Sequence, residues 1–133
     1  MLQLEFEYFT TYDAGKPGID LDVSIQLTGS RVDFVAKLDT GSSRCIFERA
    51  LGEELGLNVE SGMQQRFGTA TDTFLAYGHE LTLVVADFAF DSMVFFPENE
   101  NIKRNVLGRT GWLDRIILGL VDYEGKIYLS RYF

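Results

Sequence analysis

Apolar and polar residues alternate with a period of two along much of this chain, and that period predicts strands. Leu2, Leu4, Phe6 and Tyr8 alternate with Gln3, Glu5 and Glu7, predicting a half-buried first strand. Asp-Ala-Gly-Lys-Pro-Gly at 13–18 is a turn cluster. Ile19, Leu21, Val23, Ile25 and Leu27 resume the alternation. Thr-Gly-Ser-Arg at 28–31 reads as a hairpin turn, and Val32, Phe34, Ala36 and Leu38 carry the return strand up to Asp39. Helical spacing is clearest at 47–57. There Ala50, Leu51 and Leu55 share a face, Glu48, Glu53 and Glu54 point outward, and Gly56 stands where a C-terminal cap would. Residues 63–67 read as a strand, 68–71 as a turn, 72–90 as a longer strand region and 93–96 as a short strand. A polar loop follows at 97–105. Asn-Val-Leu-Gly-Arg-Thr-Gly-Trp-Leu-Asp-Arg at 105–115 predicts an apolar stretch, a Gly and a short helix containing Trp112 and Leu113. The chain closes on a hairpin, with strands at 115–121 and 126–133 around Asp-Tyr-Glu-Gly. Many short strands joined by turns predict one mainly β domain over 1–133, a barrel or sandwich with one or two short helices.

Composition narrows the function classes. Apolar residues make up 46% of the chain and charged residues 24%, a balance that suits a folded globular domain. Twenty acids against 12 bases give a net charge of −8, which argues against nucleic acid as a partner and offers no attraction to an anionic membrane. Cys45 is the sole cysteine and His79 the sole histidine, so no internal disulfide and no Cys/His metal cluster is expected. No metal or other cofactor is called for. The opening Met-Leu-Gln-Leu-Glu-Phe-Glu-Tyr-Phe-Thr predicts neither a signal peptide nor a membrane span, so a reducing, cytoplasmic location is the expectation. Cys45 and Trp112 read as core residues, and His79 as a solvated loop or strand residue.

The candidate chemistry lies in Phe-Val-Ala-Lys-Leu-Asp-Thr-Gly-Ser-Ser-Arg-Cys-Ile-Phe, residues 34–47. Asp39 ends an alternating strand, at the edge of the core instead of on a free loop. Thr40 and Gly41 are turn formers, and Ser42 and Ser43 offer hydroxyls that can donate to a carboxylate. As a bare triplet Asp-Thr-Gly is weak, since turn chemistry alone accounts for it. A second element, Val106-Leu107-Gly108-Arg109, stands downstream at the start of the predicted short helix.

The pair Leu-Asp-Thr-Gly-Ser-Ser and Asn-Val-Leu-Gly-Arg resembles the retropepsin-like aspartic proteases, the single-lobed relatives of pepsin, and is most similar to their stand-alone bacterial members. The resemblance covers the chain from about residue 19 to the end and implies a closed acid-protease-type β-barrel lobe. It implies that Asp39 is the catalytic acid/base. Thr40 would bond across a dimer axis, Gly41 would let the substrate backbone approach, and Ser42 would bond the outer carboxylate oxygen. Val106, Leu107 and Gly108 would pack beneath this active loop. Arg109 would play a structural part, because Ser43 and Arg44 stand where retroviral members supply its acidic partner. A flap hairpin is also implied. Gly68, Thr69, Ala70 and Thr71 are its candidate tip, equally readable as an ordinary surface hairpin and poorer in glycine than retroviral flaps.

Hydrolysis of an amide without a covalent intermediate needs water activated on one side and the carbonyl oxygen protonated on the other. Two carboxylates sharing one proton do both. This chain carries a single Asp-Thr-Gly, so the chemistry predicts a two-fold homodimer in which Asp39 meets its own copy. The chain ends, Leu-Gln-Leu-Glu-Phe-Glu-Tyr-Phe and Lys-Ile-Tyr-Leu-Ser-Arg-Tyr-Phe, suit either interleaving across the dimer or pairing within one subunit. The expected function is an aspartic endopeptidase acting on peptide or protein substrates. The alternative is a catalytically silent dimerisation or peptide-binding module on the same fold. A phosphate-binding turn of the actin or sugar-kinase type is disfavoured by the chain's length.

Overall fold

Turn chemistry and alternation together make the central hairpin. In the computed structural model, which describes residues 1–132, β2 (Asp20–Leu27) and β3 (Ser30–Leu38) pair from Asp20↔Lys37 to Leu27↔Ser30. The two-residue connection puts Gly29 at φ +77°, the left-handed conformation that only glycine adopts freely. Leu21, Val23, Ile25, Val32 and Ala36 are buried, so the alternation directs one face of this hairpin inward.

Nine strands, one α-helix and three short 3-10 turns make up the described residues. β1 (Tyr8–Thr11), β9 (Lys126–Arg131) and β8 (Ile116–Val121) form a three-stranded sheet in the order β1-β9-β8. The second sheet has the order β4-β5-β2-β3-β7, with β6 also paired to β5. Its further members are β4 (Met63–Gly68), β5 (Thr73–Val85), β6 (Phe88–Pro97) and β7 (Val106–Leu107). The 13-residue β5 spans both halves of this sheet, pairing with β4 through Thr73–Gly78 and with β2 through Thr82–Val85. The ladders therefore build two sheets and not a single closed barrel. Between β6 and β7 the connection is made by isolated bridges alone, Ile46↔Phe95 and Ile46↔Val106.

Several boundaries differ from expectation. The first strand begins at Tyr8, not Leu2. Leu2 and Leu4 are exposed, and of the apolar residues ahead of Tyr8 only Phe6 packs, against Tyr128 at 5.7 Å. At Glu7 the backbone N–H donates to Leu129 O and to Ser130 Oγ, and residues before it have no ladder partner. Both chain ends thus meet within one subunit, β1 against β9. The last residue of the expected final strand, Phe133, lies outside the described residues. The helix α1 (Arg49–Glu54) is shorter than 47–57, and Gly56, at φ +99°, stops it. Gly52 is buried in α1 because the Phe96 ring lies where a Cβ would stand, 2.9 Å from its Cδ1. The region 72–90 is not one strand. It breaks at Ala86–Asp87, where Ala86 takes φ +54°, and the chain returns as β6.

The larger core gathers β2, β3, β5, β6 and β9 around Trp112, Phe47 and Phe96. Phe47 is fully buried and edge-on to Phe34 at 4.8 Å, which ties the exit of the 39–46 segment to the strand that enters it. A smaller cluster joins Ile46, Phe67, Phe74, Ala76, Phe95 and Val106. Burying a side chain of this size stabilises by about 1.5–3 kcal/mol, and truncation adds a cavity term. Phe47→Ala should therefore lower the unfolding free energy by about 3–5 kcal/mol in chemical denaturation, with the midpoint shifting and the slope unchanged.

Candidate active site

Asp39 is the first residue beyond β3. Its backbone N–H donates to Leu107 O at 3.0 Å, so the position of the acid is set by β7 and not by a free loop. β3 and β7 run parallel through Lys37↔Val106 and Leu38↔Leu107. Ile46 then bonds Val106 from the other side, donating to Val106 O at 3.1 Å and accepting from Val106 N at 2.9 Å. The chain thus passes along one edge of β7, turns through residues 39–45 and returns along the other edge. Further contacts hold the turn to the segment after β7: Arg109 N to Ser42 O and Thr110 N to Ser43 O, both 2.9 Å. Gly108 is required for this approach. A Cβ there would collide with the carbonyl oxygens of Arg44 and Ser42, the latter 2.7 Å away.

Within the turn, Asp39 Oδ1 accepts the N–H of Gly41 at 2.9 Å, and Asp39 O accepts the N–H of Ser42 at 3.2 Å. These short-range bonds close an Asx-type turn and fix the carboxylate's rotamer. Asp39 is half-buried, while Thr40 and Gly41 are exposed. The Ser42 hydroxyl differs from expectation: Oγ donates to Arg44 O at 2.7 Å, not to the carboxylate. A hydroxyl has one proton to give, and the Arg44 carbonyl takes it.

Val106, Leu107 and Gly108 are buried directly beside the turn. Arg109 is exposed, and among the described residues its guanidinium forms no ion pair. Its backbone carbonyl accepts from Asp114 N at 2.9 Å, and Gly108 O accepts from Leu113 N, which winds the 108–114 segment into a tight turn. The predicted short helix is thereby reduced to one 3-10 turn, Leu113–Arg115, with Trp112 buried ahead of it.

The hairpin carrying Gly68, Thr69, Ala70 and Thr71 forms as β4 and β5, closed by Gly68↔Thr73. Its tip is held by the side chains of Thr69 and Asp72, the latter accepting from Thr73 N at 2.8 Å. Thr69 Oγ1 donates to Asp72 O at 3.0 Å and accepts from Asp72 N at 3.0 Å and Thr71 N at 3.4 Å. Just behind the tip Phe67 stacks on Phe74 at 5.6 Å and meets Phe95 edge-on at 5.2 Å. The hairpin and the Asp39 turn therefore share the smaller core, through Phe67 and Ile46.

Two features escape a reading of the sequence alone. Asn105 and Glu48 clamp the turn's exit: Glu48 N donates to Asn105 Oδ1 at 2.8 Å, and Asn105 Nδ2 donates to Glu48 Oε2 at 2.6 Å. The signal is faint, an Asn just before an apolar strand. His79 is a half-buried β5 residue whose Nε2 lies 2.7 Å from Val59 O, not a solvated one. Cys45 is fully buried, and burial pushes its thiol up to about 12. Among the described residues no group of His, Cys, Asp or Glu is placed to hold a metal ion. No helix among them is long and apolar enough to cross a membrane. A cavity of about 610 Å³ opens between β1 and the β2–β3 hairpin, lined by Tyr8, Asp22 and Arg31 among others. Asp39 is not part of it.

An acid at a strand end is thus gripped by a short parallel strand on which the chain doubles back, and a two-stranded hairpin shares its small core. The fold is that of the retropepsin-like aspartic proteases. The chain is similar to a retropepsin-like aspartic protease from Rickettsia conorii, with a TM-score of 0.67 over 97% of this chain and 96% of that one. Sequence identity between the two is 15%, so the likeness is one of fold. No protein-family model and no curated protein sequence matches the chain.

Gly108→Ala should cost at least about 2–3 kcal/mol in thermal or denaturant unfolding, because backbone and not a flexible side chain must give way. The Cys45 thiol should stay inert to a disulfide reagent at about pH 8 in the native protein and react fully once unfolded, read by absorbance of the released thiolate.

Proposed function

We propose that the protein is an aspartic endopeptidase that acts as a homodimer on extended peptide segments, with Asp39 of each subunit forming the catalytic pair. The observation that carries this reading is the seating of Asp39. Its backbone is bonded to Leu107, its carboxylate is oriented by Gly41, and the turn is locked to residues 108–110. Such anchoring holds a carboxylate within the small tolerance that catalysis demands. One Asp-Thr-Gly per chain supports the dimer, since a lone carboxylate lacks the partner that shares its proton.

In this reading one carboxylate, ionised, takes a proton from water as the oxygen attacks the peptide carbonyl. The other, protonated, gives its proton to the carbonyl oxygen. Collapse of the tetrahedral diol expels the amine, which takes the proton that the first carboxylate gained, while a diol hydroxyl gives its proton to the second, so the pair ends singly protonated as it began. An extended substrate suits a cleft roofed by the β4–β5 hairpin, because strand-like backbone bonding presents alternate side chains to each wall. Thr40 would lie across the two-fold axis, Gly41 would admit the substrate backbone, and the Gly68–Thr71 tip would act as the flap. A peptide or protein partner, and not nucleic acid, accords with the net charge of −8.

One observation favours the second reading, a silent dimerisation or peptide-binding module: the Ser42 hydroxyl is spent on Arg44 O. The two readings part on one measurement. Wild-type protein should cleave an unfolded-protein or peptide library between about pH 3 and pH 8, and Asp39→Asn should lose at least about a thousandfold in rate while keeping its dimer mass. Equal rates for the two proteins, with dimer mass retained, would leave the silent module standing.

A further inference from the structure

The chain is acidic as a whole, yet the segment packed against the Asp39 turn is rich in bases as far as Asp114. From Ile102 to Leu113 it carries Lys103, Arg104 and Arg109 and no acid. Arg44 adds a fourth base from the turn itself, held beside this segment by the Arg44–Thr110 bridge. Lys103 is drawn toward Glu48 at 3.8 Å. Among the described residues Arg44 forms no ion pair and its guanidinium no hydrogen bond.

Arg44 is distinguished by how it is held. It is half-buried, and its guanidinium lies over the Phe95 ring, 5.3 Å from the centroid. Phe95 is fully buried and on another side meets Phe67 of the β4–β5 hairpin. The guanidinium therefore stands where the Asp39 turn meets the tip end of the hairpin, which are the two elements that would enclose a substrate. A guanidinium resting on an aromatic face keeps its in-plane N–H donors available and loses little further freedom on binding. That is the preparation for gripping a carboxylate with two parallel hydrogen bonds. Arg109 is less suited. It is exposed, lines a recess of about 470 Å³ with Ser43, Thr110, Leu113 and Asp114, and among the described residues no aromatic ring lies under its guanidinium.

We propose that Arg44 selects peptides with an acidic side chain near the scissile bond, so that the substrate class is segments containing Glu or Asp. The cleavage part of this inference rests on the endopeptidase reading above; the recognition part does not. Long-range repulsion by the net charge of −8 does not oppose it, because screening at physiological salt removes such interactions beyond about 8 Å. What decides selectivity is the contact. A site that pairs a carboxylate rejects the neutral isostere, since the guanidinium's donors are then left unmatched.

The test uses matched peptides differing only in Glu, Gln or Lys at each position near the cleaved bond. The readout is the ratio of kcat/KM values, which is indifferent to a general loss of activity or a partly unfolded variant. Wild type should prefer Glu to Gln by roughly tenfold or more at one position. Arg44→Gln should bring that ratio near one, and Arg44→Glu should turn the preference toward Lys. A wild-type ratio near one at every position, or a ratio unchanged in Arg44→Gln, overturns the proposal. Peptide binding to the Asp39→Asn protein, followed by fluorescence anisotropy, separates this inference from the endopeptidase reading. If no peptide is cleaved but Glu peptides bind preferentially until Arg44 is replaced, acid recognition stands and the endopeptidase falls. If cleavage depends on Asp39 without any Glu preference, the reverse holds. Neither cleavage nor binding overturns both.

Discussion

Two residues of extended backbone, Val106 and Leu107, hold the Asp39 turn in place. Both edges of that short strand are used, one by the end of β3 and Asp39, the other by Ile46. A buried strand has to satisfy its N–H and C=O groups, and here the same stretch of chain, leaving and returning, satisfies both sides. The approach is possible only because residue 108 has no side chain. Most functional loops borrow their order from a scaffold beneath them. In this case the loop is itself a partner in the sheet, so displacing Asp39 means breaking backbone pairing that the core depends on.

The aromatic packing repeats that logic at the level of side chains. Phe47 and Phe34 join the exit of the turn to its entrance, and the Phe67–Phe95 contact joins the hairpin to the strand beneath it. Ile46 and Val106 belong to the same small cluster as Phe67. The turn and the hairpin are therefore coupled through a few rings, not through the main core. Arg44 caps this cluster on the Phe95 face.

Much of the fold is legible where one local signal dominates. The β2–β3 hairpin declares itself because alternation and a Gly-containing turn agree, and the β8–β9 hairpin because Gly125 takes the left-handed conformation its turn needs. Legibility fails where tertiary contact overrides pattern. Leu2 and Leu4 alternate like strand residues but find no partner, since the chain bends at Glu7 onto Ser130. The turn at Ala86–Asp87 has no glycine or proline to announce it. The site is legible in part for the same reason. Asp39, Gly41 and Gly108 belong to motifs whose backbone demands are strong, and the structure brings them together. The Ser42 hydroxyl and the Asn105–Glu48 clamp depend on which of several nearby acceptors wins, and nothing in a linear pattern encodes that competition.

The Thr69 hydroxyl at the hairpin tip has a thermodynamic consequence. It donates once and accepts twice within a turn of a few residues, so the tip is ordered before anything touches it. A glycine-rich tip would be ordered by its guest and would charge the guest for lost backbone entropy, on the order of 1–2 kcal/mol per residue. A tip already fixed avoids that cost and tolerates fewer shapes. The shape of this tip is therefore set by its own hydroxyl and not by contact with another molecule.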